Sequence, residues 1–292
     1  MKWLITGCNG QLGSCLQDKL KLREGDDFRA LDSDLLDITD ESAVKAEITS
    51  YKPDVVINAA AYTAVDKAES EEEIATRVNA HAPGILARAC EEAGIWFVHV
   101  STDYVFDGNA TVAYREEDPV SPCSVYGSSK LKGEDLVSES CRRHLIVRTA
   151  WVFSEYGGNF VKTMLRLAQE RDRLSVVADQ FGCPTYAGDI ADCLLRLVLL
   201  AQNGKTEAGI YHFSGDLAVS WWSFTREIHA MAVSKGMLDK APLLEAIPTS
   251  AYPTAAQRPA FSVLDCAKLE AIGIRPSDWR RGLSHVLDCA RK

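Results

Sequence analysis

The sequence has no long apolar run. The apolar stretch within the first seven residues is too short for a signal peptide, and a later run at 194–200 is interrupted by Arg196 and is too short to cross a membrane. Basic residues are in the minority, because 32 Lys and Arg against 41 Asp and Glu give a formal net charge of −9. An acidic chain has no bulk attraction for nucleic acid or an anionic membrane, so we expect neither as a partner.

Metal-binding and disulfide patterns are also missing. The nine cysteines form no Cys-x-x-Cys pair, the six histidines form no cluster, and no Cys/His group has zinc-site spacing. We therefore predict no metal site. Scattered cysteines in odd number indicate buried free thiols in a reducing compartment, so we expect a cytoplasmic location.

What the 292-residue chain does contain is enough apolar material for a sizeable core, with 47% hydrophobic and 25% charged residues. Short apolar runs rich in Val, Ile and aromatics lie at 3–5, 28–31, 55–57, 96–100, 145–147 and 210–213. Helical patterns lie between them at about 11–22, 40–51, 71–93, 124–140 and 187–202. This alternation predicts an α/β fold of the Rossmann type, a doubly wound parallel sheet of fully buried strands.

A glycine-rich loop follows the first predicted strand. Gly7 allows a tight turn, Gly10 allows the backbone to approach a diphosphate, and Gly13 allows close packing of helix on sheet. The helix then begins at Gln11 and Leu12, where free N–H groups can bind phosphates. We predict a dinucleotide site here, with a plain tight turn as the alternative.

An acidic residue ends the next predicted strand. Asp32 lies 19 residues after Gly13, where a carboxylate can accept hydrogen bonds from the adenosine ribose. It would repel a 2′-phosphate and so favours NADH, but nearby Arg29 could pair with that phosphate, and both NADH and NADPH stay open. Asp37 and Ile38 are predicted to flank the adenine, with a strand-end turn as the alternative.

Small residues follow the third apolar run. They continue into Ala61, Tyr62 and Thr63, which we predict to contact the cofactor at the carboxyl end of the strand. Tight packing alone would also explain small residues at this place.

Two residues four positions apart on a predicted helix can form an acid–base unit. Tyr126 and Lys130 share a helix face, and an ammonium group beside a tyrosine hydroxyl stabilises the phenolate and lowers its pKa. Thr102 lies 24 residues before Tyr126, at the end of a predicted strand, where its hydroxyl can bond a reacting carbonyl.

The change of pattern after residue 150 predicts a second unit. Glycines and prolines punctuate 151–187 and 217–292, whereas 188–216 carries one more helix and strand. We predict a dinucleotide-binding domain made of 1–150 and about 188–216. A smaller, mostly helical substrate domain is predicted for about 151–187 and 217–292.

Together these motifs resemble the extended short-chain dehydrogenase/reductase superfamily. Blocks that span nearly the whole chain resemble the dTDP-4-dehydrorhamnose reductase family more specifically. These blocks are 58–61 with 63–69, 101–106, 148–152, 159–164, 179–185 and 258–259.

The resemblance implies reduction of the 4-keto group of dTDP-4-dehydro-L-rhamnose to dTDP-L-rhamnose by NADH or NADPH, a step of nucleotide-sugar biosynthesis. It implies that Tyr126 is the proton donor, that Lys130 holds the nicotinamide ribose and tunes Tyr126, and that Thr102 assists at the carbonyl. It also implies that Thr102, Asp103 and Trp151 contact the sugar, although Trp151 could equally be a core aromatic.

The same resemblance implies that Gln180 and Arg258 reach the nucleotide part, with surface roles as the alternative. Some family members are metal-bridged dimers; Cys15 stands where a carboxylate could serve, so we assign no metal and leave a homodimer open.

Two other functions stay open: an epimerase or 4,6-dehydratase acting on another nucleotide sugar, and a non-catalytic nucleotide-binding regulatory subunit. Tyr104 occupies the position at which a dehydratase would need a glutamate, which counts against the dehydratase.

Overall fold

A computed structural model describes residues 1–291 of the protein. Its strands are β1 (Lys2–Thr6), β2 (Asp27–Leu31), β3 (Val55–Asn58), β4 (Trp96–Thr102), β5 (His144–Thr149), β6 (Val152–Phe153), β7 (Arg173–Val177), β8 (Phe181–Gly182), β9 (Thr185–Tyr186), β10 (Gly209–His212), β11 (Val219–Ser220) and β12 (Leu243–Ile247). Its α-helices are α1 (Gln11–Lys21), α2 (Glu41–Tyr51), α3 (Val65–Ala68), α4 (Glu72–Thr76), α5 (Ala82–Ala93), α6 (Val125–Ser140), α7 (Phe160–Glu170), α8 (Ala187–Gln202), α9 (Trp221–Ser234), α10 (Ala267–Ala271) and α11 (Trp279–Ala290).

The central sheet has six parallel strands in the order β10-β5-β4-β3-β1-β2. From β1 the chain first moves outward to β2 and then crosses back to β3, so the winding direction reverses between β1 and β3. A reversal of this kind opens a crevice at the carboxyl ends of the strands. The predicted doubly wound parallel sheet is confirmed.

Helices cover both faces of the sheet. Because side chains alternate along a strand, Trp3 and Ile5 enter the core under α1 and α8, whereas Leu4 enters the core under α2, α5 and α6. All three side chains are completely buried. Within the described residues, no helix is both long enough and apolar enough to span a bilayer.

Two details of the sheet domain differ from the predictions. The strand β2 is not fully buried, because it lies at the sheet edge and leaves Asp27 and Arg29 exposed. The predicted helix at 71–93 is divided by a π-helical turn at Arg77–His81. Pro83 has no N–H to donate to the Asn79 carbonyl, and that carbonyl lies where a side chain on Gly133 would be.

Most of the remaining elements form a second, smaller unit around its own core. The exception is α10: although it lies within the predicted substrate segment 217–292, Leu269 and the following Ile274 pack in the sheet-domain core with α8 and β10. α7, α9 and α11 bury Val161, Phe224 and Leu283 in one cluster. The unit also contains a parallel pair, β7 with β12, that the helical interpretation of these segments missed. Between its segments the chain returns to the sheet, where α8 packs on α1 and β10 pairs with β5.

Candidate active site

A cavity of about 750 Å³ opens at the carboxyl ends of β1, β3, β4 and β5. Its position at the switch between β1 and β3 follows from the strand order. The predicted site residues that line it are Gly7, Gly10, Gln11, Leu12, Asp32, Asp37, Ile38, Ala61, Thr63, Thr102, Asp103, Tyr126, Lys130 and Trp151.

The glycine-rich loop forms one end of the cavity. Gly7 has a φ of +71°, and a Cβ there would lie 2.6 Å from the Ala60 backbone. Gly13 lies behind the lining, where a Cβ would be 2.2 Å from the Gly7 carbonyl oxygen. Gly10 is the N-cap of α1 and provides no side-chain cap, so the first-turn N–H groups stay available to an anion. These features fit the diphosphate of a dinucleotide.

Asp32 lies beside this loop. Its carboxylate accepts hydrogen bonds from the backbone N–H groups of Ser33 at 2.8 Å and Asn9 at 2.9 Å. Partial burial opposes ionisation, but these hydrogen bonds outweigh it and lower the pKa of Asp32. Arg29, the expected competitor, is paired with Glu47 at 2.7 Å, so it does not offset the Asp32 charge.

The cofactor contacts predicted farther along the sheet edge divide into two groups. Ile38 and Thr63 line the cavity, and Asp37 lines it while accepting hydrogen bonds from Thr39. Tyr62 does not line the cavity, because its hydroxyl donates to Glu71 instead.

Sequence reasoning missed Asn79, which holds this segment in place. Its Oδ1 accepts from the Tyr62 N–H at 2.8 Å, and its Nδ2 donates to the Tyr62 carbonyl at 3.0 Å. Asn79 lies in the π-helical turn, and such turns occur frequently at functional sites. The sequence signal for it is the downstream Pro83, which interrupts the helical hydrogen bonds.

Thr102, Tyr126 and Lys130 come together on one wall of the cavity. Thr102 is the last residue of β4, and Tyr126 lies in the first turn of α6, where Ser124 caps the helix by accepting from the Gly127 N–H. Gly127 was missed by sequence reasoning. A Cβ on it would lie 2.3 Å from the Tyr104 carbonyl oxygen, so only glycine allows α6 to approach the turn after β4 this closely.

The titration of Tyr126 and Lys130 is controlled mainly by burial. Burial raises the pKa of Tyr126, and the nearby Thr102 hydroxyl partly opposes this rise. Burial lowers the pKa of Lys130 to about 8, while the negative charge of Glu134 opposes this shift. The prediction that Lys130 lowers the pKa of Tyr126 is not seen, because Lys130 Nζ instead donates to the Val100 carbonyl at 2.7 Å.

Asp103 is a buried carboxyl group beside the Tyr126 wall. Thr102 Oγ1 donates to Asp103 Oδ1 at 3.0 Å, while Oδ2 has no hydrogen-bond partner among residues 1–291. Burial raises the pKa of Asp103 to about 6, and the hydrogen bond from Thr102 opposes this rise only in part. A carboxyl group of this kind can change its protonation near neutral pH.

Trp151 is held rigidly at the junction of the two units. Its φ of 48° is unusual for a non-glycine residue, and its ring stacks on Trp221 with centroids 3.3 Å apart. In addition, a Cβ on Gly182 would be 2.5 Å from the Trp151 ring. The indole therefore lines the cavity as a fixed apolar surface.

Arg258 and Gln180 lie outside the cavity lining. Arg258 pairs with Asp66 at 2.6 Å and donates to the Tyr104 hydroxyl at 3.2 Å, so Tyr104 connects it to the lining. Gln180 is buried, and its side-chain amide donates to Thr249. A surface role for Gln180 is therefore wrong.

No group of three or more His, Cys, Asp or Glu side chains within residues 1–291 is arranged to hold a metal ion. All nine cysteines are free thiols.

Comparison with known proteins agrees with this geometry. The family model described as the RmlD substrate binding domain matches residues 1–292. A dTDP-4-dehydrorhamnose reductase of Aggregatibacter actinomycetemcomitans is 49% identical over 285 residues, covering 97% of each chain.

Two solved structures of the same family have nearly the same fold. The dTDP-4-dehydrorhamnose reductase of Clostridium acetobutylicum superposes with a TM-score of 0.93 at 38% identity and full coverage of both chains. The Bacillus anthracis enzyme, solved in complex with NADP, gives a TM-score of 0.90 at 37% identity and covers 98% of each chain. The chain therefore belongs to the dTDP-4-dehydrorhamnose reductase family and is an NAD(P)H-dependent oxidoreductase.

Proposed function

We propose that this protein reduces the 4-keto group of dTDP-4-dehydro-L-rhamnose to give dTDP-L-rhamnose, with NADH or NADPH as reductant. The observation that carries the proposal is a single cavity with two chemically different ends. One end has the glycine-rich loop, the start of α1 and Asp32, and the other has Thr102, Tyr126 and Lys130.

The cofactor role is assigned to the loop end. The first-turn N–H groups of α1 bind the diphosphate, and Asp32 accepts hydrogen bonds from the adenosine ribose. When bound, the nicotinamide supplies the hydride that a ketone needs for reduction.

The chain itself supplies the proton. Tyr126 is protonated at neutral pH, because the ordinary tyrosine pKa of about 10 is raised further by burial, and its hydroxyl can donate to the developing alkoxide. Thr102 places a second hydroxyl at the same point, and Lys130 holds the nicotinamide ribose. Trp151 and Asp103 contact the sugar from the wall facing the second unit.

The second unit, residues 151–187 and 217–292, is proposed to hold the sugar nucleotide, while the sheet domain holds the dinucleotide. Trp151, Gly157 and Gly158 bring this unit to the cavity. Arg258 serves the nucleotide side through its contact with Tyr104.

The dehydratase alternative lacks one of the two acid–base groups that it needs, because Asp103 can serve as one but no glutamate follows it. Tyr104 occupies the position next to Asp103, and its hydroxyl is engaged by Arg258. We also propose a cytoplasmic location, which the nine free thiols support, and leave a homodimer as a hypothesis for solution measurement.

An NAD(P)H-oxidation assay tests the function. Purified protein with dTDP-4-dehydro-L-rhamnose should consume NADH or NADPH and form dTDP-L-rhamnose in equal amounts. UDP- and GDP-linked 4-keto sugars serve as matched substrates that test the nucleotide base. Faster turnover of one of these, or epimerised product without NAD(P)H consumption, would reject the proposed reaction.

A further inference from the structure

A chain of buried side chains ends on Lys130. Thr6 on β1, Asn58 on β3 and His99 on β4 are register partners across three neighbouring strands. Thr6 Oγ1 donates to Asn58 Oδ1 at 2.7 Å, Asn58 Nδ2 lies 3.1 Å from His99 Nδ1, and His99 Nε2 lies 3.3 Å from Lys130 Nζ. All four side chains are at most 2% exposed. The reaction as proposed above uses only Lys130.

The backbone determines which way the Asn58 amide points. The Ala60 N–H lies 3.2 Å from Asn58 Oδ1, and because an N–H can only donate, the amide oxygen must lie on that side. The amide nitrogen then faces His99 and donates to its Nδ1. Nδ1 therefore carries no proton, and the neutral ring carries its proton on Nε2. Burial, followed by the charge of Lys130, holds the pKa of His99 well below its usual value and keeps the ring neutral.

The Nε2 proton of His99 is directed at Lys130 Nζ. An ammonium group has no lone pair and cannot accept it, whereas a neutral amine can. The Val100 carbonyl accepts from Nζ in either state. The hydrogen bond from His99 therefore forms only with the amine.

Other charged groups around Lys130 do not cancel this effect. Glu134 on α6 favours the ammonium, but its carboxylate is bound by Arg148 of β5 at 2.7 Å. Tyr126 on α6 is neutral, and Asp103 after β4 is engaged by Thr102.

We propose that His99 is a positioning residue which, oriented by Asn58, donates from Nε2 to Lys130 and favours its neutral amine, and so sets the upper pH limit of the reaction. The inference rests on the proposed roles of Tyr126 and Lys130. Lys130 must be an ammonium group to bind the ribose. Activity is therefore lost as the pH rises through the pKa of Lys130. Removing the His99 donor stabilises the ammonium relative to the amine and moves that loss to higher pH.

Two variants test this. Asn58→Asp keeps acceptors for Thr6 and Ala60 but draws the His99 proton to Nδ1, so that Nε2 accepts from the Lys130 ammonium. His99→Gln can present its amide oxygen to the ammonium. In both variants, the alkaline fall of kcat/KM should move to higher pH by about half to one unit, which corresponds to the free energy of one hydrogen bond. His229→Gln, at a buried histidine near the Met164 carbonyl, is the matched control and should keep the parent profile.

A spectroscopic measurement tests the tautomer without activity. Nitrogen-15 spectra of the imidazoles should show one ring, lost in His99→Gln, protonated on Nε2 and not titrating from about pH 6 to about pH 9. A proton on Nδ1, a titrating ring, or an unchanged alkaline limb in both variants would overturn the inference. Full activity of Tyr126→Phe would instead reject the proposed function, and the tautomer result would still stand on its own.

Discussion

Tyr126 is the residue on which the proposed chemistry depends most directly. Its hydroxyl is the proposed proton donor, so Tyr126→Phe removes the acid and keeps the ring. General acid catalysis contributes ~10²–10⁴-fold, and kcat should fall by about that factor while the KM for the cofactor changes little. Steady-state kinetics check this, with the exposed Ser128→Ala on the same helix as control. Turnover of Tyr126→Phe within about threefold of the parent would remove Tyr126 from the acid role.

Asp32 should decide the choice between the two cofactors. Its carboxylate is ionised, because hydrogen bonds lower its pKa, and it repels a 2′-phosphate. We expect kcat/KM to favour NADH over NADPH by roughly tenfold, about 1.4 kcal/mol, and Asp32→Ala to reduce that preference. Arg29→Ala should leave the ratio unchanged, because Arg29 is occupied by Glu47 and lies over the Tyr51 ring. An NADPH preference that persists in Asp32→Ala would contradict this assignment.

Single residues were predictable where the signal is local. The glycine spacing, Asp32 at a strand end, and Tyr126 with Lys130 four positions later all depend on sequence separations within one or two elements. Tyr62, Gln180 and Arg258 lie outside the cavity lining, because their side chains are engaged by residues that only the fold brings near. The positive φ of Trp151 has no local signal either, since it depends on packing against Trp221 and Gly182.

Among the elements, α6 depends on a glycine for its position. Gly127→Ala would place a Cβ 2.3 Å from the Tyr104 carbonyl oxygen, which is a backbone atom and cannot move aside cheaply. Alanine improves helix propensity by up to about 1 kcal/mol, but overpacking costs typically about 1–3 kcal/mol, so we expect net destabilisation. Denaturant unfolding should show a lower midpoint, and kcat should fall because Tyr126 moves with the helix. Gly94→Ala is the control. A Cβ at this exposed glycine would meet no atom within 4 Å, so this variant measures the effect of backbone strain without crowding. An unchanged midpoint for Gly127→Ala would show that α6 can shift freely.

Elements were predicted well where burial is complete on both faces. The runs that became β1, β3 and β5 are continuous and apolar, as a parallel sheet requires, and the run of β4 is apolar apart from His99. The pair β7 and β12 was missed, because β12 contains no fully buried residue and the two strands are separated by 65 residues of the chain. The π-helical turn was missed because Pro83 signals only an interrupted hydrogen bond, whereas the space for the Asn79 carbonyl depends on Gly133 on another helix.

At the scale of the whole molecule, the two units are joined around the cavity. Gln11 of the glycine-rich loop accepts hydrogen bonds from Ser154 at 3.0 Å and Asn159 at 2.9 Å, both in the second unit. On the opposite side, Arg258 pairs with Asp66, 192 residues away. The dinucleotide end and the sugar end are therefore each tied to both units.

The division of labour between the units predicts the effect of removing Arg258. Its guanidinium joins Asp66 to the Tyr104 hydroxyl beside Thr102 and Asp103, far along the chain from the glycine-rich loop. Arg258→Ala should raise the KM for the sugar nucleotide and lower kcat/KM by about tenfold or more, since a hydrogen bond to a charged group is worth ~1.5–3 kcal/mol. The KM for the cofactor should stay near the parent value. Arg166→Ala, which removes a solvent-exposed pair with Glu170 in the same unit, is the control and should change neither KM. Weaker cofactor binding with normal sugar-nucleotide binding would place Arg258 on the dinucleotide and reject a substrate role for residues 217–292.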